Sequence, residues 1–534
     1  MALKDHLSHP TPKPTPAYEA DVVLRVGPDA LTPQAALQAL RESRETHPER
    51  SVTVRFAPGE YAVTGLKITK EMSGTETAPV TFVADGGPVI LNGGVSLHED
   101  DFLPIDESFR ERLHGDAREK VIVADLKKCG LSEKDYGPLY PFGAYQNGSQ
   151  YDDVPLGTNC EVFMNGRRMT LARWPNKGEY AKLDAVADVG DCYEFPPQNY
   201  YHDWGERRNH RGGTYIMSRS DNERVSSWKS LDGIWAFGYF FWDWADSSTP
   251  VTIDTKNRRF FPKIVSHYGA RADAEFYFYN VPDELDEPGE YWLDRKNALL
   301  YIYPYGEMTG ARIEMSIGAA PAVTLEDVSY VTLDGFTVCN VRDDGMKLTG
   351  DHITVRNCRI TNVANYAVVA QGTDVVIECC EASHMGRGGV CLAGGDRETL
   401  TPGHNRVDNC YIHDFAEVFQ TYAGGIHLNG VGNVASHNEI CYTPHTALFY
   451  VGNDNVIEYN YIHDVVQHSR DAGAVYAGFD WAGQGNVVRY NVLENVGSRE
   501  MPPEGIYWDD GISGQTAYGN ALFNVGHQAF EVGG

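Results

Sequence analysis

No stretch of this chain approaches the ~18 consecutive apolar residues that a membrane-spanning helix needs. The opening MALKDHLSHPTPKPTP has no apolar core of a secretory leader, so the expectation is a cytoplasmic protein, or a secreted one whose leader has been removed. Cysteine is sparse: 10 in 534 residues, two of them adjacent at Cys379 and Cys380, which is no disulfide framework and predicts reduced thiols. Positive charge is in short supply, with 45 Lys and Arg against 74 Asp and Glu and a net charge of −29. That field repels phosphate backbones and excludes nucleic acid as a partner. It also repels anionic polysaccharides unless a basic groove or bound cations intervene. There is no P-loop, dinucleotide fingerprint, nucleophile elbow or zinc-spaced Cys/His set. No cofactor is therefore called for, no metal ligands are assigned, and Ca²⁺ enters only as a structural ion.

What is abundant is glycine (54), tyrosine (31) and, from residue 313 onward, repetition. Eight segments share one template: VTLDGFTV (331–338), ITVRNCRI (353–360), VVIECCEA (375–382), NRVDNCYI (405–412), NVASHNEI (433–440), NVIEYNYI (455–462), NVVRYNVL (486–493) and QTAYGNAL (515–522). Their sixth positions are Phe336, Cys358, Cys380, Cys410, Asn438, Asn460, Asn491 and Asn520, at intervals of 22 to 31 residues. Short strands with Gly and Asn turns at that period are the signature of a parallel β-solenoid, whose coils stack ~4.8 Å apart. The sixth positions then form a ladder, amide on amide or thiol on thiol. A second strand in each coil points Met346, Val368, Val390, Ile426, Leu448, Val475, Ile506 and Phe530 inward, and two residues later Leu348, Ala370, Leu392, Leu428, Tyr450, Ala477, Trp508 and Val532. The residues between point outward: Lys347, Val369, Cys391, His427, Phe449, Tyr476, Tyr507 and Glu531.

The fold class expected is all-β: a right-handed parallel β-helix with an inserted antiparallel β-domain and a short N-terminal helix. Residues 1–18 read as a loose arm. Residues 19–154 read as a cap and first coils, with a helix over 31–50 whose apolar residues are Leu31, Ala35, Leu37, Ala39 and Leu40. Residues 155–312 hold seven of the nine Trp and hairpin signals such as EYWLDRKNALLYIYP (290–304), and read as the inserted, sandwich-like domain. Within it, WKSLDGIWAFGYFFWDWAD (228–246) reads first as core, with a sugar platform as the alternative. Asn147-Gly-Ser is a glycosylation sequon on paper. Residues 313–534 are the solenoid. The sequence reaches AFEVGG without a polar cap, so the expectation is either a shortened chain or a second copy of the chain covering that end.

A repeat carries its own control: a polar residue recurring at one coil position is read as scaffold, and one that occurs once and faces outward as chemistry. The recurring Tyr-Ile-His-Asp of 411–414 and 461–464 is thereby read as a turn device. The non-recurring polar residues collect in the last four coils. Asp480, Asp509 and Asp510 are expected at one end of an aromatic strip, beside Asn429, His427, Tyr476 and Tyr507. Asp471, His445 and Glu504 are expected at the other end, with Trp481 and Trp508 as further sugar contacts. Adjacent Asp509 and Asp510 cannot both point outward from a regular strand, so one of them is expected to act. Carboxylates brought close push one pKa up, leaving an acid beside a base or nucleophile, as glycosidases require. Turn capping or Ca²⁺ ligation is the alternative role for these Asp residues.

APVTFVADGGPVILNGG, EVFMNGRRMTLARWPN (161–176), DAGAVYAGFDWAGQGNVVRYN and GIYWDDGISG together resemble bacterial β-helix glycosidases, especially glycoside hydrolase family 141. The resemblance implies α-L-fucosidase or xylanase-type activity with two catalytic aspartates. They fall among Asp471, Asp480 and the Asp509/Asp510 pair, and coil geometry favours Asp480 with Asp509 or Asp510. Relatives carry a basic residue where Phe479 stands here, which implies a missing substrate contact. The competing readings are a lyase acting on a uronate polymer, disfavoured by the few Arg and Lys in the outward rows, and a non-catalytic glycan-binding solenoid.

Overall fold

The computed structural model describes residues 13–63, 65–145, 157–190, 192, 212–497 and 503–533; Asn147 and Trp204 lie outside them. The chain divides into two compact units, one of residues 1–94 with 318–534, the other Val95–Ile317.

The first unit is a right-handed β-helix whose coils present three parallel faces. One face stacks the strands that carry Met346, Val368, Val390, Ile426, Leu448, Val475, Ile506 and Phe530, each paired in register with the next. The outward row follows the same register, from Lys347 through His427 and Tyr476 to Glu531. Each eight-residue template spans two faces rather than one strand. Val456–Glu458 lies on the second face and Tyr461–Val465 on the third, with a corner between them. The chain turns there through a left-handed residue at the fifth position: Gly335, Asn357, Cys379, Asn409, His437, Tyr459, Tyr490 and Gly519 all have φ between 52° and 85°. Only two of the eight are glycine, so the stack holds side chains in a conformation they adopt rarely.

The sixth-position ladder is what answers the corner's polar backbone. Asn460 Oδ1 accepts from both the backbone N–H (3.0 Å) and the Nδ2 (2.9 Å) of Asn438, and Asn491 repeats this for Asn460. Cys358, Cys380 and Cys410 fill the same pocket in earlier coils, all buried. A second ladder, Asn405, Asn433, Asn455 and Asn486, stands at the first template position and passes amides on in the same way.

The helix runs over Pro33–Thr46, four residues short of the expected end, with Thr32 capping the Ala35 N–H. It buries Ala36, Leu37, Leu40 and Arg44; Ala35 is exposed and Leu31 precedes the helix. Residues 13–18 are not a free arm: Lys13 pairs with Glu378 at 2.6 Å and the Tyr18 hydroxyl donates to Asp334 at 2.7 Å. The coils on either side of the inserted unit stack directly, Val80 on Val331 and Val89 on Phe336. The insertion therefore interrupts the sequence but not the ladder of strands.

The inserted unit begins at Val95, so residues 95–154, read above as early coils, belong to it. Its sheets are mostly antiparallel, and the expected hairpin forms as Glu290–Asp294 with Leu299–Ile302. Trp228 and Trp235 are buried, whereas Trp242 and Trp244 are half-buried, stacked 6.0 Å apart at 7° in the turn after Trp235–Tyr239.

Substituting Asn460 by Ala strands the Asn438 N–H and the Ala435 carbonyl inside the core, while Asn438 Nδ2 keeps the Val407 carbonyl. The expected loss is about 2–4 kcal/mol in denaturant unfolding, whereas an exposed substitution such as Asn429→Ala costs little.

Candidate active site

The outward row of the first face is a continuous aromatic strip. His427 stacks on Phe449 at 4.8 Å, Phe449 meets Tyr476 at 5.6 Å, and Tyr476 meets Tyr507 edge-on at 5.4 Å. Tyr422 stacks on Phe449 from the side. Parallel register forces this arrangement, because successive coils place equivalent side chains directly above one another.

At the C-terminal end of the strip two carboxylates share one hydroxyl. Tyr507 Oη lies 3.0 Å from Asp471 Oδ1 and 3.1 Å from Asp509 Oδ1. Asp509 also accepts from the Tyr476 hydroxyl at 2.7 Å and the Asp510 backbone N–H at 2.7 Å. A phenol has one proton, so it cannot donate to both carboxylates; the network closes if Asp471 holds a proton of its own. Asp471 is exposed at the surface, yet partial desolvation by its neighbours raises its carboxyl above the usual range; the charges of Asp509, Glu531 and Asp510 add to this, against the Tyr507 hydrogen bond. Burial and the adjacent carboxylates push both phenols far up, so Tyr476 and Tyr507 stay donors. Asp509 collects three donors, the role of an ionised acceptor.

The structure therefore joins the two acidic clusters that the sequence placed at opposite ends of the strip, with Tyr507 as the bridge. It does not join Asp480 to either. Both oxygens of Asp480 are held by Arg397 at 2.8 and 2.9 Å, and one accepts from the Gly452 N–H at 3.0 Å. The left-handed turn at Phe479 (φ 56°) directs that carboxylate back onto the preceding coil. Asp480 thus ties the 390–402 excursion to the stack, whereas the hydrogen bonds through Tyr507 bring Asp471 to Asp509. Asp510 is exposed and contributes its N–H and its carbonyl, the latter to Phe479.

The other expected contacts divide. His427 accepts from the Gly424 N–H through Nε2 at 2.8 Å, and burial, with Arg387 nearby, drives its pKa down to about 3. His445 is buried beside Tyr422 and likewise driven down to about 3. Both imidazoles are neutral walls rather than acids. Asn429 is exposed, and Trp481 stands 83 % exposed beside Gly511. Trp508 does not face the strip: it alternates inward into the core and meets Phe530 of the last coil edge-on, so its expected sugar contact is corrected.

Residues that the sequence reading passed over also line this face. Asp344 is buried and pushed up to about 6 by burial and the charge of Asp343, near Arg387, which lies over the Tyr366 ring. Asp344 stands two residues before inward Met346, the coil position that Glu504 holds before Ile506. Comparing coil positions at both ends of the stack was the signal available. Six coils separate the two, roughly 29 Å at ~4.8 Å per coil, so they are not a pair.

Glu504 is held up to about 7 by burial and by Glu531 beside it, with His527 opposing. A carboxyl whose folded pKa exceeds its unfolded value binds more protons when folded. Its stabilisation is complete in acid, below its ordinary 4.5, and is lost as pH rises through about 7. Glu504→Gln is expected to raise stability at pH 8 by roughly 1–3 kcal/mol and to leave it unchanged at pH 4. Denaturant unfolding across that range reads the difference.

Residues 344–522 match the model of the right-handed β-helix region. No curated protein matches the chain. A solved structure named as a glycoside hydrolase superimposes over 95 % of this chain and 93 % of its own, with a TM-score of 0.65 and 15 % identity. A lacto-N-biosidase of glycoside hydrolase family 136 from Eubacterium ramulus aligns over 38 % of this chain and 44 % of its own, with a TM-score of 0.25 and 11 % identity. The catalytic domain of a family 87 α-1,3-glucanase aligns over 82 % and 94 %, with a TM-score of 0.26 and 8 % identity. Repeat pattern, family model and near-full-length superposition agree on one architecture for this chain, the right-handed parallel β-helix.

Proposed function

We propose that this protein is a glycoside hydrolase in which Asp471 is the general acid and Asp509 the nucleophile or base. The observation that carries the reading is the single Tyr507 hydroxyl shared by the two carboxyls on an aromatic face. Glycosidic cleavage needs one protonated and one ionised carboxyl, and the network supplies that asymmetry. Asp471 protonates the departing oxygen. Asp509, oriented by Tyr476, Tyr507 and the Asp510 N–H, faces the anomeric carbon. Half-buried Tyr422 and exposed Trp481 offer flat apolar surface for sugar rings.

Retaining glycosidases hold their carboxyls ~5–5.5 Å apart and inverting ones ~6.5–9.5 Å; the shared hydroxyl sets an upper limit of about 6 Å on the two Oδ1 atoms alone. The anomer released by the enzyme distinguishes a glycosyl-Asp509 intermediate from direct attack by water. The α-L-fucosidase or xylanase-like specificity of family 141 is the substrate class to test first. A structure of the same fold that bears the name glycoside hydrolase supports the general class. A lyase reading is weakened at two of the basic groups nearby, since Arg397 is committed to Asp480 and Arg387 lies against Tyr366 and Phe419; it would have to use exposed Arg470 beside Asp471.

A panel of aryl glycosides and polysaccharides, followed by release of reducing sugar, identifies the substrate. On it, Asp471→Asn and Asp509→Asn are each expected to lower kcat by ~10²–10⁴ while leaving the unfolding midpoint within a few degrees. An aryl glycoside whose leaving group needs no proton restores Asp471→Asn but not Asp509→Asn. The alkaline limb of the wild-type pH profile, set by loss of the Asp471 proton, disappears in Asp471→Asn. Full activity in both variants removes the site, and Asp480→Asn is expected to retain turnover.

A further inference from the structure

The third face carries a module that occurs twice. In one copy Glu381 and Ser383 on one coil face His413 on the next; in the other Glu439 and Cys441 face His463. Each histidine gives Nδ1 to the aspartate that follows it, at 2.7 Å in both copies, and turns Nε2 towards the glutamate. The coil position occupied by Ser383 in the first copy is Cys441 in the second. The Glu-His-Asp part recurs and is scaffold; the thiol occurs once.

The second copy is also the enclosed one. Cys441 is 0 %, His463 3 % and Glu439 7 % exposed, and one donor atom from each lies within 4.8 Å of the others. His463 Nε2 is already 3.1 Å from Glu439 Oε1. Its ring stacks on Tyr461 at 4.3 Å and meets Tyr442 edge-on, so it is fixed in orientation. A fully buried thiol has no access to a substrate, which excludes a nucleophile. A nitrogen, an oxygen and a sulfur donor converging in one place instead match a borderline divalent cation.

We propose that Glu439, Cys441 and His463 form a zinc site that clips two adjacent coils together. Around a tetrahedral zinc the donor atoms stand roughly 3.3–3.8 Å apart, a small closure of the arrangement present. Asp464 on Nδ1 supplies the outer carboxylate that fixes a ligating imidazole and raises its basicity. Binding releases to solvent the proton that His463 shares with Glu439 and the proton of the Cys441 thiol, and the charge of the ion is balanced by the carboxylate and the resulting thiolate. Three protein donors leave the fourth position to water. The ligands are separated by a coil repeat, 22 residues from Cys441 to His463, which no zinc-motif spacing resembles. This site stands on residues other than those proposed for catalysis.

The test is metal content of the full chain expressed with added zinc and dialysed. About one zinc per chain is expected, falling at least tenfold in Cys441→Ser, which installs the residue the other copy already holds. Cobalt-substituted wild type is expected to show thiolate-to-cobalt charge-transfer absorption that Cys441→Ser lacks. A chelator is expected to lower the wild-type unfolding midpoint and to leave that of the variant in place. No zinc in the wild type, equal zinc in the two proteins, or cobalt spectra without a thiolate band overturns the proposal. Wild-type metal content and the cobalt spectrum decide the matter even if the variant misfolds.

Discussion

The fold rests on one constraint: each coil must meet the polar backbone groups of the next while turning three corners inside a closed core. Unsatisfied buried amides are costly, and the corner residues are in a left-handed conformation that few side chains adopt freely. The Asn ladders meet this constraint. One carboxamide oxygen accepts twice from the coil below, and its own N–H pair continues the chain of bonds. Thiols replace the amides in the earlier coils, where Cys358, Cys380 and Cys410 bring small apolar volume into the same pocket.

The stack also explains why chemistry accumulates on the surface. A ladder that keeps equivalent positions in line brings residues 22 to 36 apart in sequence into contact without any loop having to fold over. Tyr507 reaches Asp471 of the preceding coil in this way, and His463 reaches Glu439. In both places a residue that departs from its row, an aspartate or a cysteine, meets partners already fixed by the repeat. The scaffold supplies order, and the exceptions supply reactivity.

Much of this was legible in the sequence, for a physical reason. Period-2 alternation into a closed core leaves no freedom of register, so the seven buried positions from Met346 to Ile506 could be read without coordinates, whereas Phe530 keeps the register on the last coil but is exposed. The outward row followed from the same rule, including the aromatic strip. The start of the inserted unit did not, because the short strands after Val95 look like more coils until their antiparallel partners are known.

What the amino-acid sequence determined is therefore the solenoid, its register and the list of acids near its C-terminal coils. Only the tertiary structure decided which acids meet. Asp480, Asp509 and Asp510 lie at strand ends, where the side-chain direction is set by local φ and by available donors rather than by alternation. The left-handed Phe479 and the guanidinium of Arg397 take Asp480 away, and Tyr507 brings Asp471 in. Periodicity governs strands, and the reactive groups sit where periodicity stops.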